Sequence, residues 1–274
     1  MTVGTITVRE AGILVIKKDA SDQHAYGYVV TSSPTVVNVA ATTFTLAAAG
    51  DYAILGMGMF QKSNTTDNFN VKLLVDGVSY SQNAFRSNHV NNVYPWQGLV
   101  KVNLDADSHT IAIQEWVDSA GTITGEAHLL VMDWTKFQHA YYGESRAPST
   151  TTSTTYQDKV TLTQVPQDGP YDHVVIGVGA TDGTPKETVH NITIQDAATI
   201  QENQRKYPTG VTQNQPFFSL AKPAPAAVST TWKTQYRSGG GLSVGIQDSA
   251  IMILQTGGAS VEIKGANILG ANIL

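Results

Sequence analysis

Seven histidines, His24, His89, His109, His128, His139, His173 and His190, are the side chains of this chain best suited to acid-base or metal chemistry, yet their spacing favours neither. No HExxH pair occurs, and without a single cysteine in 274 residues no thiolate or mixed zinc site can form. The run DADSH, Asp105 to His109, holds two carboxylates and a histidine, the raw material of a calcium loop. It lacks the EF-hand spacing and the turn glycine of such a loop, so it reads as a hairpin turn. No GxSxG elbow is present, and the glycines of GMGMFQ and GVGATDG open no amphipathic helix that would cradle a phosphate. Asp76 and Asp196 each close an apolar strand and read as turn formers, not as a paired acid and base. These residues predict a protein that is not an enzyme and that uses no cofactor and no metal.

The elements around them read as strands. Twenty-four Gly, ten Pro and only 14% charged residues suit short strands and tight turns better than amphipathic helices. YAILGMGMF, HVVIGVGAT, NVKLLV, TIAIQEW and HLLVM are short apolar or alternating runs, punctuated by AAAGDY, VDGV, DSAG, TDGTP and RSGGG. ATIQENQRKY, Ala198 to Tyr207, is ambiguous between a strand and a helical turn. A net charge of −5, with 17 Lys and Arg scattered among 22 Asp and Glu, predicts no nucleic-acid partner. The N-terminal apolar run is broken by Arg9 and Glu10, and no run approaches membrane-spanning length, so neither a signal peptide nor a membrane partner is expected.

The chain also reads as one pattern written twice. QHAY at Gln23 to Tyr26 returns at Gln138 to Tyr141, which makes Tyr26 and Tyr141 equivalent packing residues at the start of two domains. GDYAILGMG answers GPYDHVVIGVG, FNVKLLVDG answers VHNITIQDA, and SHTIAIQEW answers STTWKTQYR. Pro95-Trp96 matches Pro216-Phe217 and HLLVM matches AIMIL, so collinear blocks recur at offsets of 115 to 122 residues. The expected fold is all-β, with two tandem antiparallel β-sandwich domains of the jelly-roll kind produced by internal duplication. The boundaries are an N-terminal arm over 1–22, a first domain over 23–137, a linker and domain entry over 138–157, a second domain over 158–256 and a C-terminal tail over 257–274.

Three features bear on partners. Gly56, Gly58, Gly177 and Gly179 leave one strand face bare, to be filled by a bulky residue of the facing sheet or, alternatively, by a ligand. The tail ends in GANIL twice over, and its apolar Ile268, Leu269, Ile273 and Leu274 are candidate contacts to another subunit or to a capsid, or a cover for their own domain. Trp96 matches Phe217 and Trp116 matches Tyr236, which favours packing over sugar stacking for the tryptophans and leaves glycan binding as the alternative.

The blocks AGDYAILGMG, VKLLVDG, YPWQGLVKVNLDADSHTIAIQEWVDSAG and AHLLVM, with QYRSGGGLSVGIQDSAIMIL in the second copy, resemble a β-sandwich repeat of structural proteins of tailed bacteriophages. The resemblance covers most of residues 43–256 and names no binding residue. It implies a capsid decoration or cement protein that contacts the major capsid protein or other virion proteins. It further implies a homo-oligomer, trimeric by analogy, located in a virion assembled in the host cytoplasm. A carbohydrate- or receptor-binding module of a head or tail fibre is the alternative.

Overall fold

The computed structural model describes residues 12–16, 22–32, 34–63, 68–86, 93–118, 121–137, 139–164, 172–183, 188–206, 215–221, 229–256 and 261–265. Nine strands come first: β1 Gly12–Ile16, β2 Gln23–Thr31, β3 Val37–Thr45, β4 Gly50–Lys62, β5 Asn68–Val75, β6 Val78–Arg86, β7 Val93–Leu104, β8 Ser108–Val117 and β9 Ile123–Asp133. A 3-10 turn, Trp134–Lys136, leads to β10 His139–Ser145, β11 Ser149–Thr151, β12 Gln157–Gln164, β13 Asp172–Gly183, β14 Thr188–Gln195 and β15 Ala198–Lys206. The last are β16 Gln215–Ala221, β17 Thr230–Ser238, β18 Val244–Thr256 and β19 Val261–Gly265. The ambiguous segment at Ala198 is thus a strand, paired with β14 as β6 is with β5.

Two sandwiches share one topology. The first stacks a sheet of order β2-β9-β4-β7 on one of order β3-β8-β5-β6, and the second stacks β10-β18-β13-β16 on β12-β17-β14-β15. In each, the first strand pairs with the last and the second with the next to last, which is the wrap of an eight-stranded jelly roll. The second begins with β10, within the stretch expected as linker and domain entry, and β10 pairs with β18 along its whole length. Even the Ser/Thr tract contributes, since β11 pairs its backbone with β18. A tract with little apolar surface can still be held by ladder hydrogen bonds.

Register refines the sequence matches. Gly58 lies opposite Trp96 and Ala127, while Gly179 lies opposite Phe217 and Ser249, so these strands superpose at the offsets read from sequence. QHAY does not. Ala25 faces Leu129 on β9, and the residue facing the corresponding Ile251 on β18 is Gly143, so the structural offset is 118 residues and not 115. A shift of three residues, being odd, reverses the side to which each side chain points. Trp116 likewise stands opposite Asn70, matching Arg237 opposite His190, so its counterpart is Arg237 and not Tyr236. Tyr236 is buried in the second sandwich, whereas Trp116 is half-buried beneath the Lys72 ammonium, 5.2 Å from its ring centre.

The first core gathers Ile54, Phe60, Phe69, Leu73, Phe85, Trp96, Ile111, Ile113 and Leu129. The bare face of Gly56 is filled by Trp96, from the neighbouring strand of its own sheet, and by Ile113 from the facing sheet; a Cβ at Gly56 would meet them at 3.0 and 3.1 Å. Gly27 serves another purpose: a Cβ there would lie 1.6 Å from the Val39 carbonyl oxygen, so only glycine lets β2 close against β3. Glu115 is fully buried, and neither carboxyl oxygen has a hydrogen-bond partner among the described residues. It occupies the space above Gly125, where a Cβ would stand 2.1 Å from Oε2. Desolvation pushes its carboxyl up to about 8, so it holds its proton well above the usual carboxylate range.

Asp76 and Asp196 are turn residues as expected, both at positive φ (50° and 52°). Their carboxylates accept from the backbone N–H of Thr110 and Thr231 at 2.7 and 2.9 Å. The DADSH segment is not the hairpin turn expected from sequence: it carries the chain from β7 in one sheet to β8 in the other, because β7 pairs with β4 and β8 with β3 and β5. His109 fastens this corner by bonding Asp76 through Nδ1 at 2.7 Å and the Asp105 carbonyl through Nε2 at 3.0 Å. At the two ends of the described chain, β1 and β19 pair antiparallel, Leu14 opposite Ile263. Ile268, Leu269, Ile273 and Leu274 lie outside the described residues.

Candidate interaction surface

The alternation of β2, β4, β7 and β9 sends one set of side chains into the first core and the other onto the outer face of the sheet. Register arranges the outer set in rows across the four strands. One row is His24, Leu130, Leu55 and Leu99; the next is Tyr26, His128, Met57 and Gln97; then Tyr28, Glu126, Met59 and Pro95. Val30, Thr124, Gln61 and Val93 form the last.

The second jelly roll covers only part of this face. Ala53, Leu55, Leu99 and Met132 are buried in one cluster with Ile176, Ala250, Met252 and Leu254 from the outer face of the β10-β18-β13-β16 sheet. The sandwiches are therefore stacked outer face to outer face. Around the apolar seam run polar fastenings: Ser81 donates to Asp248 at 2.8 Å, the Tyr142 hydroxyl oxygen lies 3.3 Å from the Leu99 carbonyl oxygen, and Arg146 lies 5.2 Å over the Tyr80 ring. Glu144 accepts from both Tyr142 and Arg146. A small recess between the halves is lined by Ser81, Leu99, Glu144, Arg146, Asp248, Ser249 and Ala250. Burial there pushes the Asp248 carboxyl above its ordinary range, opposed by the Ser81 hydrogen bond and the charge of Arg146. This set of groups locks two sheets together.

Beyond the seam the same face is open. Tyr26, Tyr28, Val30, Met59 and Val93 are 53 to 59% exposed and Met57 is 40% exposed, on strands where a solvated sheet face would be polar. Contiguous apolar surface of this kind marks an interaction site. Polar groups are interspersed on it: Tyr26 donates to Glu126 at 3.2 Å, the His24 and His128 ring nitrogens approach to 3.4 Å, and Gln97, Thr124 and Gln61 complete the rows. Tyr26 also tilts over His128, ring centres 4.9 Å apart.

The residues weighed from sequence fall elsewhere or partly here. His24 and His128 meet on this face, and His109 ties the β7–β8 connection to the Asp76 turn. His89 is outside the described residues. Among the described residues, no group of three His, Cys, Asp or Glu is placed to hold a metal ion, and no helix is long and apolar enough to cross a membrane. Trp96 and Trp232 are core residues, while Trp134 packs against the seam under Lys101. The sequence reading missed Tyr28, Met57 and Met59. Their signal was present in YGYVV and GMGMF, where apolar residues occupy both phases of the alternation, or glycine occupies the inner one.

Fold and surface together define a protein of two jelly-roll β-sandwiches in tandem, stacked through their sheets. No protein-family model matches the chain, and no curated protein is significantly similar to it. Among solved structures it is similar to PNGF-II, at 9% identity over 92% of this chain and 66% of that one, with a TM-score of 0.35. The structure of the infectious bursal disease virus Gt strain matches at 9% identity over 97% of this chain and 80% of that one, with a TM-score of 0.31. A family 35 carbohydrate binding module from Clostridium thermocellum matches at 12% identity over 44% of this chain and 98% of its own, with a TM-score of 0.23. The chain thus spans just under two thirds of PNGF-II, and likenesses at this level assign no activity, ligand or partner.

Proposed function

We propose that the chain is a non-enzymatic structural protein of a bacteriophage virion, a capsid decoration or cement protein that strengthens a shell through repeated protein contacts. Two jelly rolls descended from one by duplication, assembled as a homo-oligomer on the major capsid protein, are part of this reading. The observation that carries it is the open sheet face: Tyr26, Tyr28, Met57 and Met59 continue, uncovered, the surface that Leu55 and Leu99 bury within the chain. A chain that already joins its own halves by sheet stacking has the surface for a further layer, and repeated buried contact supplies strength without disulfides. The threefold arrangement implied by the resemblance belongs to the same proposal.

The test is immunogold labelling of intact particles produced from the genome that encodes the chain, with purified shells as sedimentation bait. Label on the shell and co-sedimentation support the reading; particles that carry no label overturn it.

The exposed tyrosines on one strand favour a second reading, a glycan- or receptor-binding module, since flat rings two residues apart form a stacking platform. Saturable binding on a glycan array, lost in Tyr26→Ala and Tyr28→Ala, would establish it. Trp116 and Trp134 are poorer platforms, one lying under Lys72 and the other against the seam.

A further inference from the structure

Metal-ligating atoms converge at one point of the open face, on its border with the seam. His24 on β2 lies opposite Leu130 on β9, and Tyr26 lies opposite His128, so the two histidines are diagonal neighbours on adjacent strands. Both side chains are exposed. Diagonal positions are within reach of long side chains, and here the rings stack at 28° with centres 5.7 Å apart, which brings His24 Nε2 to 3.4 Å from His128 Nδ1.

That spacing is long for a hydrogen bond, whose heavy atoms prefer about 2.9–3.0 Å. It matches two nitrogens on one zinc ion: at bond lengths of about 2.0–2.1 Å and a tetrahedral angle, they stand about 3.3 to 3.4 Å apart. The neighbours hold the rings in place. Tyr26 tilts over His128 with ring centres 4.9 Å apart, its hydroxyl is tied to Glu126 at 3.2 Å, and Leu130, opposite His24, packs against the seam. Two arms fixed on paired strands close on an ion with little rearrangement. Glu126, the next outward residue of β9, places a carboxylate beside the pair, which favours a cation.

We propose that His24 and His128 form a two-point site for a divalent transition-metal ion, with zinc fitting the spacing and water filling the remaining coordination positions. Imidazole nitrogen selects such ions over magnesium and calcium, which take oxygen ligands. Binding uses the lone pair of each named nitrogen, so the hydrogen between the two rings moves to the far nitrogen of its own ring. The site goes beyond the virion reading and does not depend on it.

Isothermal titration of the full chain with zinc chloride tests it, with His24→Ala, His128→Ala and the double variant alongside, and ring-nitrogen NMR assigns the ligands. The wild type should take up one zinc ion that shifts the His24 Nε2 and His128 Nδ1 signals. Each single variant should bind it at least about tenfold more weakly, because one imidazole remains where two acted together. The second substitution should then add far less than the first, since a chelate fails when either arm is lost. Ring signals of His24 and His128 that stay put at saturating zinc overturn the site. So does a single variant that binds as tightly as the wild type, and so do losses that add across the double variant, which would mark two independent imidazoles.

Discussion

Tyr26 and Tyr141 close the two copies of one tetrapeptide and point to opposite sides of their sheets. Tyr26 faces His128 across the strand pair and stands 53% exposed on the open face. Tyr141 faces Ile253 and packs into the interior of the second sandwich with Val160, Leu162 and Trp232. Replacing each by alanine should separate them. Tyr141→Ala should lower unfolding free energy by about 2 kcal/mol, and Tyr26→Ala should change it by less than about 0.5 kcal/mol. Urea denaturation monitored by circular dichroism reads both, and equal losses would contradict the register.

Glu115 should make the protein less stable as pH rises. Its carboxyl goes from an ordinary 4.5 in the unfolded chain to about 8 in the fold, so between those values the folded state holds a proton that the unfolded state has released. The penalty is absent below the lower value and complete above the upper one, roughly 5 kcal/mol in total at 1.36 kcal/mol per unit. Glu115→Gln should flatten the dependence, measured as melting temperature from pH 4 to 9 on the scale set by these limits; a slope that survives the substitution assigns it to another group.

His109 should act in the same direction over a different window. The Asp76 hydrogen bond, against the opposing effect of burial, holds its imidazole above the usual histidine value. Its stabilising contribution is complete below the unfolded value of about 6.5 and is lost as pH rises through the higher folded value. His109→Gln should cost about 1 kcal/mol at pH 6 and progressively less above it. Chemical denaturation at two pH values measures this, and a cost that grows with pH would reverse the assignment.

The seam between the sandwiches should open before either core does. Leu55 is 3% exposed and faces the second jelly roll, not its own interior. Leu55→Asp buries a charge in the seam and should cost about 3 kcal/mol or more of interface stability. Scanning calorimetry should then resolve two transitions where the wild type shows one, and limited proteolysis should cut between residues 133 and 139, around the 3-10 turn. A single transition lowered as a whole would mean that the two cores do not unfold separately.

Alternating runs such as TTWKTQYRS, glycines beside apolar residues and aspartates before turns were legible in the sequence because each depends on neighbours along the chain. They sufficed for an all-β chain, for strands in matching order in both halves and for Asp76 and Asp196 at turns. The open face was legible only as an excess of apolar residues in YGYVV and GMGMF. Period-two patterning says which residues share a face, not what that face meets. Whether Leu55 is covered while Met57 and Met59 stay open depends on where a second sandwich comes to rest, a contact between residues more than a hundred positions apart. Register across long-range pairs decided the rest. An identical tetrapeptide records sequence similarity, but the partner strand determines which way its side chains turn, and a slip of three residues placed Tyr26 outside and Tyr141 within.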